Sequence, residues 1–68
     1  MNAVKEIRDK LGLTQHELAT MLEMSQGNVG HYEKGIQDVP VRIAKKLVSI
    51  AKAEGLNISL DDFYKHVN

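Results

Sequence analysis

The chain has no cysteine, so disulfides and thiolate metal sites are excluded. No uninterrupted apolar run exceeds three residues, which is too short for a membrane span. The start "MNAVKEIRDK" has no apolar signal-peptide core and carries acids. There is no excess charge of either sign, because nine basic residues offset nine acidic ones. No repeat, low-complexity segment or linker divides the 68 residues, which are read as one domain over 1–68. A chain this short buries a modest share of its surface, and a partner subunit is a reasonable expectation. These absences describe a soluble cytoplasmic protein with no membrane contact.

The charge that is present is unevenly placed. Between Gly12 and Glu33 there are three acids (Glu17, Glu23 and Glu33) and no lysine or arginine. Lys5, Arg8 and Lys10 precede that span. Lys34, Arg42, Lys45, Lys46 and Lys52 follow it, opposed there only by Asp38 and Glu54. Two basic blocks therefore flank a neutral-to-acidic centre, so the net charge of zero does not exclude a polyanionic partner.

Apolar residues keep helical spacing between breaks at Gly12, Ser25, residues 35–40 and residues 55–59, which predicts an all-α fold of five helices. The first helix carries Val4, Ile7 and Leu11 and stops at Gly12. The second opens with Thr14 as cap and Glu17 as the capping-box acid, and turns Leu18, Ala19, Met21 and Leu22 inward. The third runs between the cap Ser25 and Gly35 with Val29 and Tyr32 inward. Asp38 and Pro40 announce the fourth, which carries Ile43, Ala44, Leu47, Val48, Ile50 and Ala51 as far as Gly55. "SLDDFYKHV" predicts a fifth, with Ser59 as cap, Asp61 and Asp62 at its positive end and Lys65 and His66 at its negative end. "GLNISL" alternates like a strand but has no strand to pair with, and is read as an extended connection.

Helices two and three are short and nearly abut across residues 23–25. Two short helices so joined predict a helix-turn-helix, whose second helix enters the DNA major groove. The span "LTQHELATMLEMSQGNVGHYEKG" resembles the helix-turn-helix of the phage repressor and Cro family, the lambda-repressor-like DNA-binding domains. The matching features are Gln15 opening the second helix, Ala19 at the crossing, Leu18, Leu22, Val29 and Tyr32 at inward positions, and the ending "EKG". The resemblance implies a compact five-helix domain, an internal salt bridge between Arg8 and Glu33, and a DNA-binding regulator. Two positions depart from the pattern. Relatives place glycine in the turn where this chain has Glu23, and a left-handed backbone there costs about 1 kcal/mol. Val41 is apolar where some relatives are basic.

Stepping around the third helix at ~100° per residue puts Gly27, His31 and Lys34 opposite Val29 and Tyr32, with Gly30 beside them. Each glycine costs a helix interior roughly 0.8–1 kcal/mol. Two bare positions on this face either let the backbone approach base edges or ease packing on the second helix. The predicted base contacts are Gln26, Gly27, Asn28 and His31. Gln26 suits bidentate bonds to adenine N6 and N7. Asn28 either bonds adenine or supports Gln26, and His31 donates to guanine or to a phosphate. Thr14 and Gln15 at a helix start, with Lys34, Arg42 and Lys45, are the predicted phosphate contacts.

Leu56, Ile58, Leu60, Phe63, Tyr64 and Val67 are many apolar residues for a tail. They either close the monomer core, Phe63 first among them, or form a homodimer contact at Leu56, Ile58, Leu60 and Tyr64. A dimer fits a near-palindromic operator, in which two recognition helices meet major grooves ~34 Å apart. No nucleophile sits with a patterned base, and His16, His31 and His66 share no ligand spacing. No enzyme activity, metal, cofactor or small-molecule ligand is therefore expected. The leading reading is a small Cro-type repressor binding an operator in double-stranded DNA. The alternatives are the antitoxin or accessory regulator of a toxin–antitoxin pair, a fragment of a longer repressor, and a protein-interaction module on the same fold.

Overall fold

Three of the four α-helices open on a side-chain cap, and the fourth opens after Pro40 without one. The computed structural model describes residues 2–64. In it α1 spans Ala3–Leu11, α2 Gln15–Leu22, α3 Gln26–Lys34 and α4 Val41–Ala53. Thr14 Oγ1 accepts from Glu17 N at 3.0 Å, and Glu17 Oε1 accepts from Thr14 N at 2.8 Å, which closes the capping box of α2. Ser25 caps α3 through Asn28 N at 3.3 Å. Gly12 and Gly35 end α1 and α3 at φ +70 and +75, in the left-handed region that glycine enters at no steric cost.

The sequence predicted five helices, and here the structure differs. The "SLDDF" segment forms only a 3-10 turn over Leu60–Phe63. Ser59 does start it, its N–H bonded to Asp62 Oδ2 at 2.8 Å. Leu60 and Phe63 stand three apart, and in a 3-10 turn such residues eclipse on one side. Both are half-buried, so one tight turn suffices to seat them. Tyr64 then leaves the turn to donate its hydroxyl to Val39 O at 2.7 Å. The predicted positions of Lys65, His66 and Val67 lie outside the described residues. Residues 56–59 run as a connection without pairing, and the described residues contain no strand.

All four helices feed one core. Val4 and Ile7 from α1 meet Leu18, Ala19 and Leu22 from α2, Val29 and Tyr32 from α3, and Ile43, Leu47 and Ala51 from α4. Ile58 closes that core at 6% exposure. Leu56 and Phe63 pack against it.

The α2–α3 turn carries the fold's one local misfit among the described residues. Glu23 is the single non-glycine residue there with positive φ, at +58. Its N–H bonds Thr20 O at 3.2 Å, and Met24 N bonds Ala19 O at 3.0 Å, so the helix end requires the left-handed conformation. The Cβ of an L-residue costs roughly 1 kcal/mol in that region. Glu23→Gly is accordingly expected to stabilise the protein by about 1 kcal/mol, raising Tm by about 4–8 °C in a domain of this size. Thermal unfolding by circular dichroism checks it, and an unchanged or lower Tm contradicts it.

Candidate nucleic-acid interface

The inward edge of α3 consists of Val29 at 0% and Tyr32 at 4% exposure. That burial turns the opposite edge to solvent. Gln26, Gly27, His31 and Lys34 are exposed, and Asn28 is half-buried at the flank. The two helical glycines separate here. A Cβ on Gly27 would meet only Ser25 Oγ, at 4.0 Å, so Gly27 is a bare outward position. A Cβ on Gly30 would lie 3.7 and 3.8 Å from the amide atoms of the Gln15 side chain. Gly30 therefore faces the Gln15 side chain of α2, at an ordinary van der Waals separation that leaves room for a methyl group.

A chain of polar contacts runs from the domain interior to the first residue of α3. Arg8 Nε donates to Glu33 Oε2 at 2.6 Å, and Nη2 donates to Glu33 Oε1 at 3.1 Å. Arg8 Nη1 donates to Leu13 O at 3.0 Å, which ties the α1–α2 link to the same pair. Gln15 Nε2 donates to Glu33 Oε1 at 3.1 Å, and Gln26 Nε2 donates to Gln15 Oε1 at 3.4 Å. The side chains of Arg8 and Glu33 are 15% and 6% exposed. Burial pushes the Glu33 carboxyl up. The hydrogen bonds from Arg8 and Gln15 and the nearby positive charges outweigh it, so the group lies below its ordinary value. The Arg8 guanidinium is raised by its bond to Glu33, against the opposing effect of burial.

Gln15, predicted as a phosphate contact, thus has both ends of its amide bonded within the protein. Thr14, the other predicted contact at this helix start, uses its hydroxyl oxygen as the α2 cap. Lys34, Arg42 and Lys45 are exposed, and none makes an ion pair among the described residues. The cations of α1 are different. Lys5 lies 4.0 Å from Asp9, Lys10 lies 3.5 Å from Glu6, and Arg8 holds Glu33. Of the two basic blocks in the sequence, the first is balanced within the protein and the second is free.

The residues predicted for a dimer contact are placed less openly than their apolar character implied. Ile58 belongs to the monomer core, at 6% exposure in the same cluster as Leu47 and Ala51. Leu56, Leu60 and Tyr64 are half-buried, and the Tyr64 hydroxyl is bonded to Val39 O. Among the described residues the large apolar side chains that face solvent are Ile36 at 68%, Val41 at 52% and Met21 at 48% exposure, and Met21 is thereby turned outward from the inward face predicted for it. Sequence spacing gave no sign of Asn2, whose side chain reaches the end of α3.

No group of three or more histidine, aspartate or glutamate side chains could hold a metal among the described residues. No helix there is long and apolar enough to cross a membrane. A protein-family model described as Helix-turn-helix matches residues 4–63. No curated protein matches the chain. No solved structure matches it either.

Proposed function

We propose, from the premise that this chain belongs to the Cro/C1-type helix-turn-helix family, that it is a repressor binding a near-palindromic operator as a dimer, with α3 in the major groove. The family makes it a DNA-binding regulator. The observation that carries the finer reading is the outward edge of α3. Gln26, Gly27, His31 and Lys34 share one exposed face, with Asn28 at its flank. Gln26 at the helix start is the proposed reader of adenine, through N6 and N7. Gly27 lets the backbone approach the base edges. Asn28 and His31 read the neighbouring pairs. Lys34, Arg42 and Lys45 hold the flanking phosphates, joined by the hydroxyl proton of Thr14 and the second amide N–H of Gln15, and the exposed cations supply the attraction that the net charge conceals.

Dimerisation uses the second half of the chain. Leu60, with the accessible parts of Leu56 and Tyr64, remains the proposed contact, and Ile58 supports it from beneath.

Selection of bound duplexes from a random pool tests this reading. A repeated, inverted half-site spaced by about one helical turn is the expected product. Gln26→Ala is then expected to weaken binding to the selected duplex by about 1–3 kcal/mol, or roughly 5–150-fold. The loss should concentrate at one base pair of each half-site, as read by binding to duplexes changed singly there. The absence of any enriched sequence, with binding independent of salt, favours a protein-interaction module instead.

A further inference from the structure

The recognition helix is also held at its far end, by a residue that stands before α1. Asn2 Oδ1 accepts from Lys5 N at 3.1 Å and so caps α1. Asn2 Nδ2 donates to Tyr32 O, and to Glu33 O at 3.0 Å, in the last turn of α3. One short side chain is thus the N-terminal cap of one helix and a carbonyl cap of another. The last carbonyls of a helix lack intrahelical donors and carry the negative end of its dipole. An amide meets both demands, because it pairs one acceptor with an NH2 donor. Serine caps α1 equally well but is too short to span two helices. Aspartate has the reach but no donor, and it sets a negative charge against the negative end of α3.

Glu33 is consequently gripped twice by the same helix and its cap. Arg8 of α1 holds the carboxylate, and Asn2 holds the main-chain carbonyl. Gln15 fixes the other end of α3 through Gln26. Val29 and Tyr32 bury one edge of α3 in the core. The ties at the Glu33 carboxylate and at the main-chain carbonyls fix the small roll that this packing leaves.

We infer that Asn2 is a positioning residue for DNA reading, setting the roll of α3 and hence where the base readers Asn28 and His31 point. This rests on the proposed role of α3 in the major groove. Asn2 touches no base. Its effect falls on sequence discrimination, which depends on side-chain placement to within about an ångström, and spares attraction to phosphates.

The test uses Asn2→Ser and Asn2→Asp in the whole chain. The orientation of α3 relative to α1 is measured in the free protein by residual dipolar couplings. Affinity is measured for the duplex that the unaltered protein enriches from a random pool, and for a mixed-sequence duplex of equal length. Ala51→Gly, in the buried face of α4, is the stability control. Asn2→Ser is expected to stay folded, to change the α1–α3 orientation and to lose about tenfold on the enriched duplex. Its mixed-sequence affinity and salt slope are expected to match the unaltered protein, while Asn2→Asp loses more. Ala51→Gly is expected to keep both affinities wherever it is folded. An unchanged orientation overturns the inference, as does an equal loss on both duplexes or failure of Asn2→Ser to fold. Failure of the unaltered protein to enrich any sequence overturns the DNA reading itself. The orientation measurement then still decides whether Asn2 positions α3.

Discussion

Replacing Arg8 with methionine is expected to cost about 3–5 kcal/mol of stability, because it leaves the Glu33 carboxylate buried without its partner. A domain of this length has about 3–10 kcal/mol in total, so the variant should be largely unfolded near physiological temperature. Its pH dependence is expected to reverse in sign. In the unaltered protein the Glu33 carboxyl lies below its ordinary value. Its contribution to stability is therefore present above the ordinary carboxylate range and lost as pH falls through the lower folded value. Burial is the largest single influence on that carboxyl, and without Arg8 it is opposed only by Gln15 and the more distant Lys5. The folded value then rises above the unfolded one. The variant is expected to be most stable below the ordinary carboxylate range, losing stability as pH rises through the raised value. Urea unfolding between about pH 3 and 7 reads both effects, and a variant that weakens on acidification like its parent would contradict them. Combining Arg8→Met with Glu33→Leu should restore most of the stability, since a packed apolar pair replaces the buried ions. It should not restore DNA affinity. Gln15 then loses the carboxylate that orients it toward Gln26.

Neutralising Lys34, Arg42 and Lys45 together to glutamine is expected to remove about 2.7 from the log–log salt slope of DNA binding, at about 0.9 per phosphate released. At about 0.15 M salt the same change weakens binding on the order of 100-fold, for selected and mixed-sequence duplexes alike. The matched comparison is Lys5→Gln with Lys10→Gln on α1. Those lysines already face Asp9 and Glu6, so their removal should alter the slope by less than about one unit. Slopes from titrations at several salt concentrations decide it. If the α1 pair proved to carry the slope, the proposed phosphate contacts would be misplaced.

Much of the fold is legible in the chain because helix ends are local. Thr14 and Glu17 stand three residues apart, and their two hydrogen bonds need nothing from the rest of the molecule. Gly12 and Gly35 mark helix ends for the same reason. The fifth helix was less legible. Ser59, Asp61 and Asp62 are sound start signals, but the segment needs only to seat Leu60 and Phe63, and one 3-10 turn does so. The inward face of α3 follows from periodicity alone, since Val29 and Tyr32 are its only large apolar residues.

The candidate site is legible only in part. Wheel position places both Gly27 and Gly30 near the outward edge. A helix wheel carries no record of the neighbouring helix, and the Gln15 amide lies against Gly30. Asn2 gives no signal beyond that of an ordinary N-cap, because its second set of partners lies 30 and 31 residues away. Ile58 sits in an alternating pattern that fits an exposed contact equally well until the fold buries it in the common core.

Four helices, the caps Thr14 and Ser25, the left-handed helix ends at Gly12 and Gly35 and the buried edge of α3 are all legible in the chain itself. Each of these depends on residues within about one helical turn, where bond geometry and periodicity leave little choice. Which of the two glycines of α3 faces outward and how α3 is held follow only once the chain is folded. Those properties depend on solvent access and on hydrogen bonds between segments far apart in the chain. Net charge shows the limit most plainly. Nine positive and nine negative residues sum to nothing. Lys5 and Lys10 pair with Asp9 and Glu6 along α1 and Arg8 holds Glu33, while Lys34, Arg42 and Lys45 stay exposed without an ion pair among the described residues.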